Sequence, residues 1–144
     1  MSDWLTVAGN YMTAPNIDAG TVKRILIQLV TIAFLGMISF IIWSANTQQK
    51  FGFLQFGVAF PYADKLAHFL LIGSATFLLN LSLQNRTIAW LGRKWLLGSL
   101  IVFILITLEE FSQRFIPGRS FDLLDLTANC AGIFCFGLLS AKRR

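Results

Sequence analysis

Long apolar stretches separated by short polar ones dominate this chain. Four runs approach the ~20 mostly apolar residues that a helix needs to cross hydrocarbon: Ile25 to Ala45, Leu66 to Leu83, Trp95 to Gln113 and Leu123 to Ser140. The fold class they predict is all-α, a polytopic membrane protein with four transmembrane helices, the spans running over about 25–45, 64–83, 95–113 and 122–140. Residues 1–22 form an N-terminal cytoplasmic segment in this reading. They lack the basic start and short apolar core of a cleaved signal peptide, and residues 23–144 form the membrane domain.

Composition supports the class. Of 144 residues, 56% are hydrophobic and only 13% charged, with a mean hydropathy of +0.66, well above a soluble domain. Cys130 and Cys135 lie five apart on one predicted helix, where their side chains diverge and cannot join. Basic residues set the orientation. With the N-terminus inside, Lys23, Arg24, Arg86, Arg93, Lys94, Lys142, Arg143 and Arg144 are cytoplasmic, against Lys50, Lys65, Arg114 and Arg119 outside. Both termini are therefore expected in the cytoplasm. Trp90 and Trp95 fall at the inner interface and Trp43 near the outer one, as amphipathic rings prefer. The tail Lys142 to Arg144 reads as an orientation anchor rather than a nucleic-acid site.

The acids distribute the other way. Asp64, Glu109, Glu110, Asp122 and Asp125 gather at the outer ends of the second, third and fourth spans. From Trp95 to Leu108 an α-helix reaches only about 21 Å, short of the roughly 30 Å of hydrocarbon. The third helix should therefore run past Glu109 and Glu110, placing them with His68, Asp125 and Asn129 in the outer third of the membrane. Polar groups at such depth cost roughly 2.5 to 3.5 kcal/mol and should face inward and pair. Their spacing agrees: Asp64 and His68 stand at i, i+4, Glu110 and Gln113 at i, i+3, and Asp122, Asp125, Asn129 and Gly132 at i, i+3, i+7, i+10. Gly73, Ser74, Ala75, Gly132 and Gly137 are small enough to let helices approach closely.

Asp64-Lys65-x-x-His68-Phe69, Glu110-x-x-Gln113, Pro117-Gly118-Arg119 and Asp125-x-x-x-Asn129-x-x-Gly132 together resemble the signature of the VanZ-like family of small bacterial membrane proteins. The resemblance covers residues 64 to about 139. It implies a multi-pass protein of the bacterial cytoplasmic membrane. The family's founding member is linked to low-level resistance to the glycopeptide teicoplanin, and related domains accompany envelope polysaccharide systems. The motif falls here on Asp64, Lys65, His68, Glu110, Gln113, Arg119, Asp125 and Asn129. Glu109 and Asp122 stand outside it, and Ile72 replaces an aromatic common one turn after the motif His.

His68 and Glu110 are the candidate catalytic groups. An imidazole titrates near neutral pH and Asp64 one turn away could orient it, while Glu110 could act as a general base. Asp64, Lys65, Gln113, Arg119, Asp125 and Asn129 are the candidate substrate-binding residues. The guanidinium of Arg119, aimed by the Pro117-Gly118 turn, suits a lipid headgroup or lipid-linked phosphate. The carboxylates could also hold a divalent cation, although no metal-ligand spacing is present and no cofactor is required. The competing reading makes Glu110 and Asp125 ion-pair partners of Arg119 and Lys65, and Asp122 a helix cap. The aromatic segment Lys50 to Lys65 could lie on the outer leaflet or pack as a lid.

Two functions follow. The first is an outer-leaflet polar pocket that binds, or binds and modifies, a membrane lipid or lipid-linked envelope precursor. The second is a non-catalytic assembly partner of an envelope membrane complex, its polar cluster serving as interhelical glue among other membrane proteins. A proton-coupled transporter ranks below both, because no polar stripe leads from the pocket to the cytoplasmic side.

Overall fold

The computed structural model describes residues 18–47, 62–90 and 92–143. Of the aromatic segment 50–65, residues 50–61 lie outside them, and 62–65 lead into the second helix. Among the described residues there are four α-helices, α1 (Ala19–Asn46), α2 (Ala63–Ser82), α3 (Leu97–Ser112) and α4 (Leu123–Ala141), and a hairpin of β1 (Thr87–Trp90) with β2 (Arg93–Leu96). Helices α1, α2 and α4 are each long and apolar enough to cross a membrane, which makes this a multi-pass membrane protein.

Helix starts are set by capping side chains. Asp18 accepts from the Thr21 amide at 2.5 Å, satisfying one of the free N–H groups of α1 and holding its own carboxyl below the usual range. That cap begins α1 at residue 19, so the last four residues assigned to the N-terminal segment 1–22 belong to the helix. Asp122 does the same for α4, accepting from Leu124 N–H at 2.8 Å, as its reading as a cap expects. The third helix departs from expectation at its start: Trp95 lies in β2, not in a span. Thr87 pairs with Leu96 and Trp90 with Arg93, and Gly92 turns the hairpin at φ 71°. The β-branched and aromatic residues of this short segment favour a pleated strand. At its other end α3 does run through Glu109 and Glu110, then tightens into a 3₁₀ turn over Gln113–Phe115.

Packing centres on α2. Its contact with α4 is the most extensive in the molecule, and glycines explain how close it is. A Cβ on Gly132 would strike the Phe69 carbonyl, and one on Gly73 would strike the Phe136 ring. The backbones therefore meet where small residues were expected. Ile72, Val102, Ile106 and Ile133 form the buried apolar layer of α2, α3 and α4, with Leu79 against it. Helix α1 is different. It is the most apolar span, yet only 11% of its window is buried; Thr31, Ile38 and Ser44 face the bundle. The Thr31 hydroxyl reaches the Leu78 carbonyl at 3.2 Å, while Leu29, Ile32 and Trp43 point outward.

Candidate functional site

The first turn of α2 and the N-terminal end of α4 bring three carboxylates to one ammonium. Lys65 Nζ lies 3.0 Å from Asp64, 2.5 Å from Asp122 and 2.6 Å from Asp125. Two of these partners are expected site residues and one, Asp122, is expected only as a cap; it serves both purposes. The Lys65 ammonium and the Leu124 amide hold the Asp122 carboxyl below its ordinary value of 3.8. The ammonium also stands where a hard cation was considered. Among the described residues no group of three His, Cys, Asp or Glu is arranged to hold a metal ion, and of the oxygens considered for one, those of Asp64 and Asp125 are turned to Lys65.

One turn deeper sits His68. Its Nδ1 lies 3.3 Å from the Asn129 side-chain oxygen, and its Nε2 lies 3.8 Å from Asp125 Oδ2. The expected orienting partner, Asp64 at i−4, is instead turned to Lys65. In the tautomer whose Nδ1–H donates to Asn129, Nε2 is left facing the Asp125 carboxylate. The imidazole keeps 28% of its side-chain surface exposed, so a ligand can reach it.

Glu110, from the last turns of α3, is fully buried. One carboxyl oxygen accepts from the Asp122 amide at 3.3 Å, which ties α3 to the start of α4. The other has no hydrogen-bond partner among the described residues, and neither does the side-chain nitrogen of the fully buried Asn129. Gln113 is buried too, but its amide bonds Glu109 at 3.0 and 3.2 Å rather than Glu110. This gives Glu109, which the sequence left without a role, the task of holding Gln113 at the helix end.

Arg119 corrects a second expectation. Pro117 and Gly118 do form a turn, closed by Arg119 N–H to the Ile116 carbonyl at 3.1 Å, with Gly118 at φ 79° as a type II turn requires. Yet no described carboxylate lies within ion-pair distance of the guanidinium. Neither Glu110 nor Asp125 is its partner. The structural ion pairs run through Lys65, and Arg119 is half-buried with its charge uncommitted to a described acid.

A second polar cluster, at the opposite ends of the same helices, has no counterpart among the sequence expectations. Buried Asn80 donates to Ser99 Oγ at 2.9 Å and to Ser140 Oγ at 3.1 Å, and its oxygen accepts from Ser99 N–H at 3.0 Å. Asn85 donates to the Ser140 carbonyl at 3.0 Å. Gly98 and Gly137 supply the room, since a Cβ on either would press on Asn80 or Ser99. Polar residues thus gather at the basic end as well, without a continuous polar stripe from the acidic cluster. The apolar layer of Ile72, Val102, Ile106 and Ile133 separates the two clusters. Both cysteines are free, Cys135 exposed and Cys130 half-buried.

A multi-pass helical membrane protein with a partly buried cluster of Lys, His and carboxylates at one end is the class this geometry defines. The VanZ/LLP1 family model matches residues 4–141, and the chain belongs to that family. No curated protein and no solved structure matches it.

Proposed function

We propose that the acidic-end cluster is an outer-leaflet pocket for the anionic headgroup of a membrane lipid or lipid-linked envelope precursor, in a glycopeptide-resistance-like role. In this reading α3 supplies a fourth crossing: Leu97 to Phe115, an α-helix ending in a 3₁₀ turn, reaches about 30 Å. The basic residues at the opposite end support a reading with both termini in the cytoplasm and the pocket outside, in the bacterial cytoplasmic membrane. The observation that carries the proposal is unspent polar capacity at depth. A carboxyl oxygen of Glu110 and the amide nitrogen of Asn129 are buried without partners, and Arg119 has no acid of its own. Buried polar groups left open are costly, and a ligand that completes them recovers that cost. Arg119 would grip the phosphate in two places. His68 Nε2 would exchange a proton with it, and Glu110, Gln113 and Asn129 would position its polar atoms.

Glue is the second reading, and Lys65 favours it. Two of its three ion pairs, to Asp122 and Asp125, join α2 to the start of α4, and the Glu110–Asp122 bond joins α3 to it, so part of the cluster holds helices whatever else it does. Lys65 is accordingly assigned to structure, with Asp64, Asp122 and Asp125 around it. Single substitutions His68→Gln, Glu110→Gln and Arg119→Gln separate the readings when membrane accumulation, thermal stability in detergent and glycopeptide susceptibility are measured together. The pocket reading expects variants that accumulate and melt normally but lose the phenotype. If every variant that loses it also fails to accumulate, the pocket reading is wrong.

A further inference from the structure

A cleft of about 200 Å³ opens between the first turns of α1 and the end of α2, lined by Arg24, Gln28, Ser82, Leu83, Gln84 and Arg86. It lies at the opposite end of the bundle from the acidic pocket. A neighbouring recess shares Arg24 and Gln84 with it. Among the described residues neither guanidinium has a carboxylate within 4.0 Å. Asp18, on the rim of the neighbouring recess, turns its carboxylate to the Thr21 amide and so remains on its own helix.

We propose that this cleft binds the phosphate headgroup of an anionic membrane lipid, gripped by Arg24 and Arg86. The wall carrying Arg86 is held rigidly. Gln84 and Asn85 both adopt left-handed backbone, at φ 54° and 52°, a conformation uncommon outside glycine. They are kept there by Asn85 N–H to the Asn80 carbonyl at 2.7 Å and by the Asn85 side chain on Ser140. Arg86 is fixed on both sides, its N–H to Leu83 and its carbonyl to Leu97 N–H. Two guanidiniums offer forked donors that match phosphate oxygens, and Gln28, Ser82 and Gln84 add neutral donors around them.

A lipid is favoured over a free anion by what lies next to the cleft. Arg24, Gln28 and Ile32 follow at i, i+4 and i+8 along α1, so the stripe that begins as headgroup donors continues as apolar surface. Ile32 is 68% exposed and Leu29 57%. An acyl chain can lie along that ridge while its phosphate occupies the cleft. Exposed Lys142 at the same end adds attraction for an anionic leaflet.

The test uses the full chain in neutral detergent and counts retained lipid by native mass spectrometry. Phosphatidylglycerol is expected to bind and phosphatidylcholine not. Arg24→Gln/Arg86→Gln is expected to weaken phosphatidylglycerol binding about thirtyfold, whereas Arg93→Gln/Lys94→Gln, which removes the same charge from the hairpin, leaves it unchanged. Equal losses in the two double variants would mean diffuse attraction and overturn the site. Displacement of the lipid by inorganic phosphate at comparable concentration would overturn the lipid and leave a free-anion site. Should the double Gln variant fail to fold, Arg24→Lys/Arg86→Lys keeps both charges and removes the fork; undiminished binding in it overturns the two-Arg grip.

Discussion

The two buried polar clusters sit in the same three helices, an apolar layer apart, and they solve opposite problems. Around Asn80 the groups are neutral, and Asn80 uses donors and acceptor together on Ser99 and Ser140. Around Lys65 and His68 the groups are charged, and two fully buried residues, Glu110 and Asn129, still have an open atom. A neutral network built on an Asn80 whose side chain is fully engaged is what helix adhesion inside a membrane protein needs. A charged, unsaturated one costs more than adhesion requires, and ionisable groups at such depth are functional candidates by default. The comparison teaches that burial of polar groups is a poor guide to function by itself, and that charge combined with open hydrogen-bonding capacity discriminates better.

Breaking each cluster should expose the difference, and the largest effect belongs to Lys65. Lys65→Met leaves Asp64, Asp122 and Asp125 together without their cation. Removing one partner of a buried ion pair costs 3–5 kcal/mol; with Asp64 and Asp122 partly in solvent, about 3 kcal/mol is expected here. The check is denaturant unfolding in detergent micelles, and a loss below about 1 kcal/mol would show that the carboxylates do not depend on Lys65. Asn80→Leu comes next. It deletes three interhelical hydrogen bonds, each worth roughly 0.6 kcal/mol in a membrane protein, and crowds Gly98. About 2 kcal/mol should be lost, with any change in phenotype tracking abundance alone. A phenotype lost at full abundance would place function at the wrong end of the bundle.

How far each cluster is legible in the sequence follows from the same contrast. Charged residues interrupt an apolar run visibly, so helical spacing and depth alone place Asp64, His68, Glu110 and Asp125. Asn80, Ser99 and Ser140 escape that logic. Each is a single neutral residue near a span end, where Asn and Ser also serve as ordinary boundary residues, and their convergence depends on how α3 and α4 lean on α2. The one signal in the chain is that Gly98 and Gly137 lie close to Ser99 and Ser140 in sequence, small residues marking close approach. Pairing is less legible than position. Helical spacing brings Asp64 to His68, but the short reach from Asp64 to its neighbour Lys65 wins. The short apolar approach to α3 hides a hairpin, because a few residues of Thr, Ile and Trp carry no helical period to contradict.

The smallest effect sharpens the comparison through pH. Asp122 precedes α4, and its folded carboxyl titrates below the ordinary 3.8 because the Lys65 ammonium and the Leu124 amide favour the charged form. A depressed value contributes stability that is fully present above the unfolded value and is lost as pH falls through the folded one. The acidic end should therefore begin to loosen only below about pH 4, where Asp122 gives up its share of the ammonium it holds with Asp64 and Asp125. The Asn80 cluster contains no titrating side chain and should not respond. Hydrogen exchange between pH 6 and 3, corrected for the intrinsic pH dependence of exchange, is expected to show protection falling at the start of α4 and holding at its end. Asp122→Asn, which keeps a cap acceptor for Leu124 but no charge, should remove part of that fall and lower the melting temperature slightly at pH 7. Equal loss of protection at both ends of α4 would mean that the helix opens as one unit and that the two clusters are not independent.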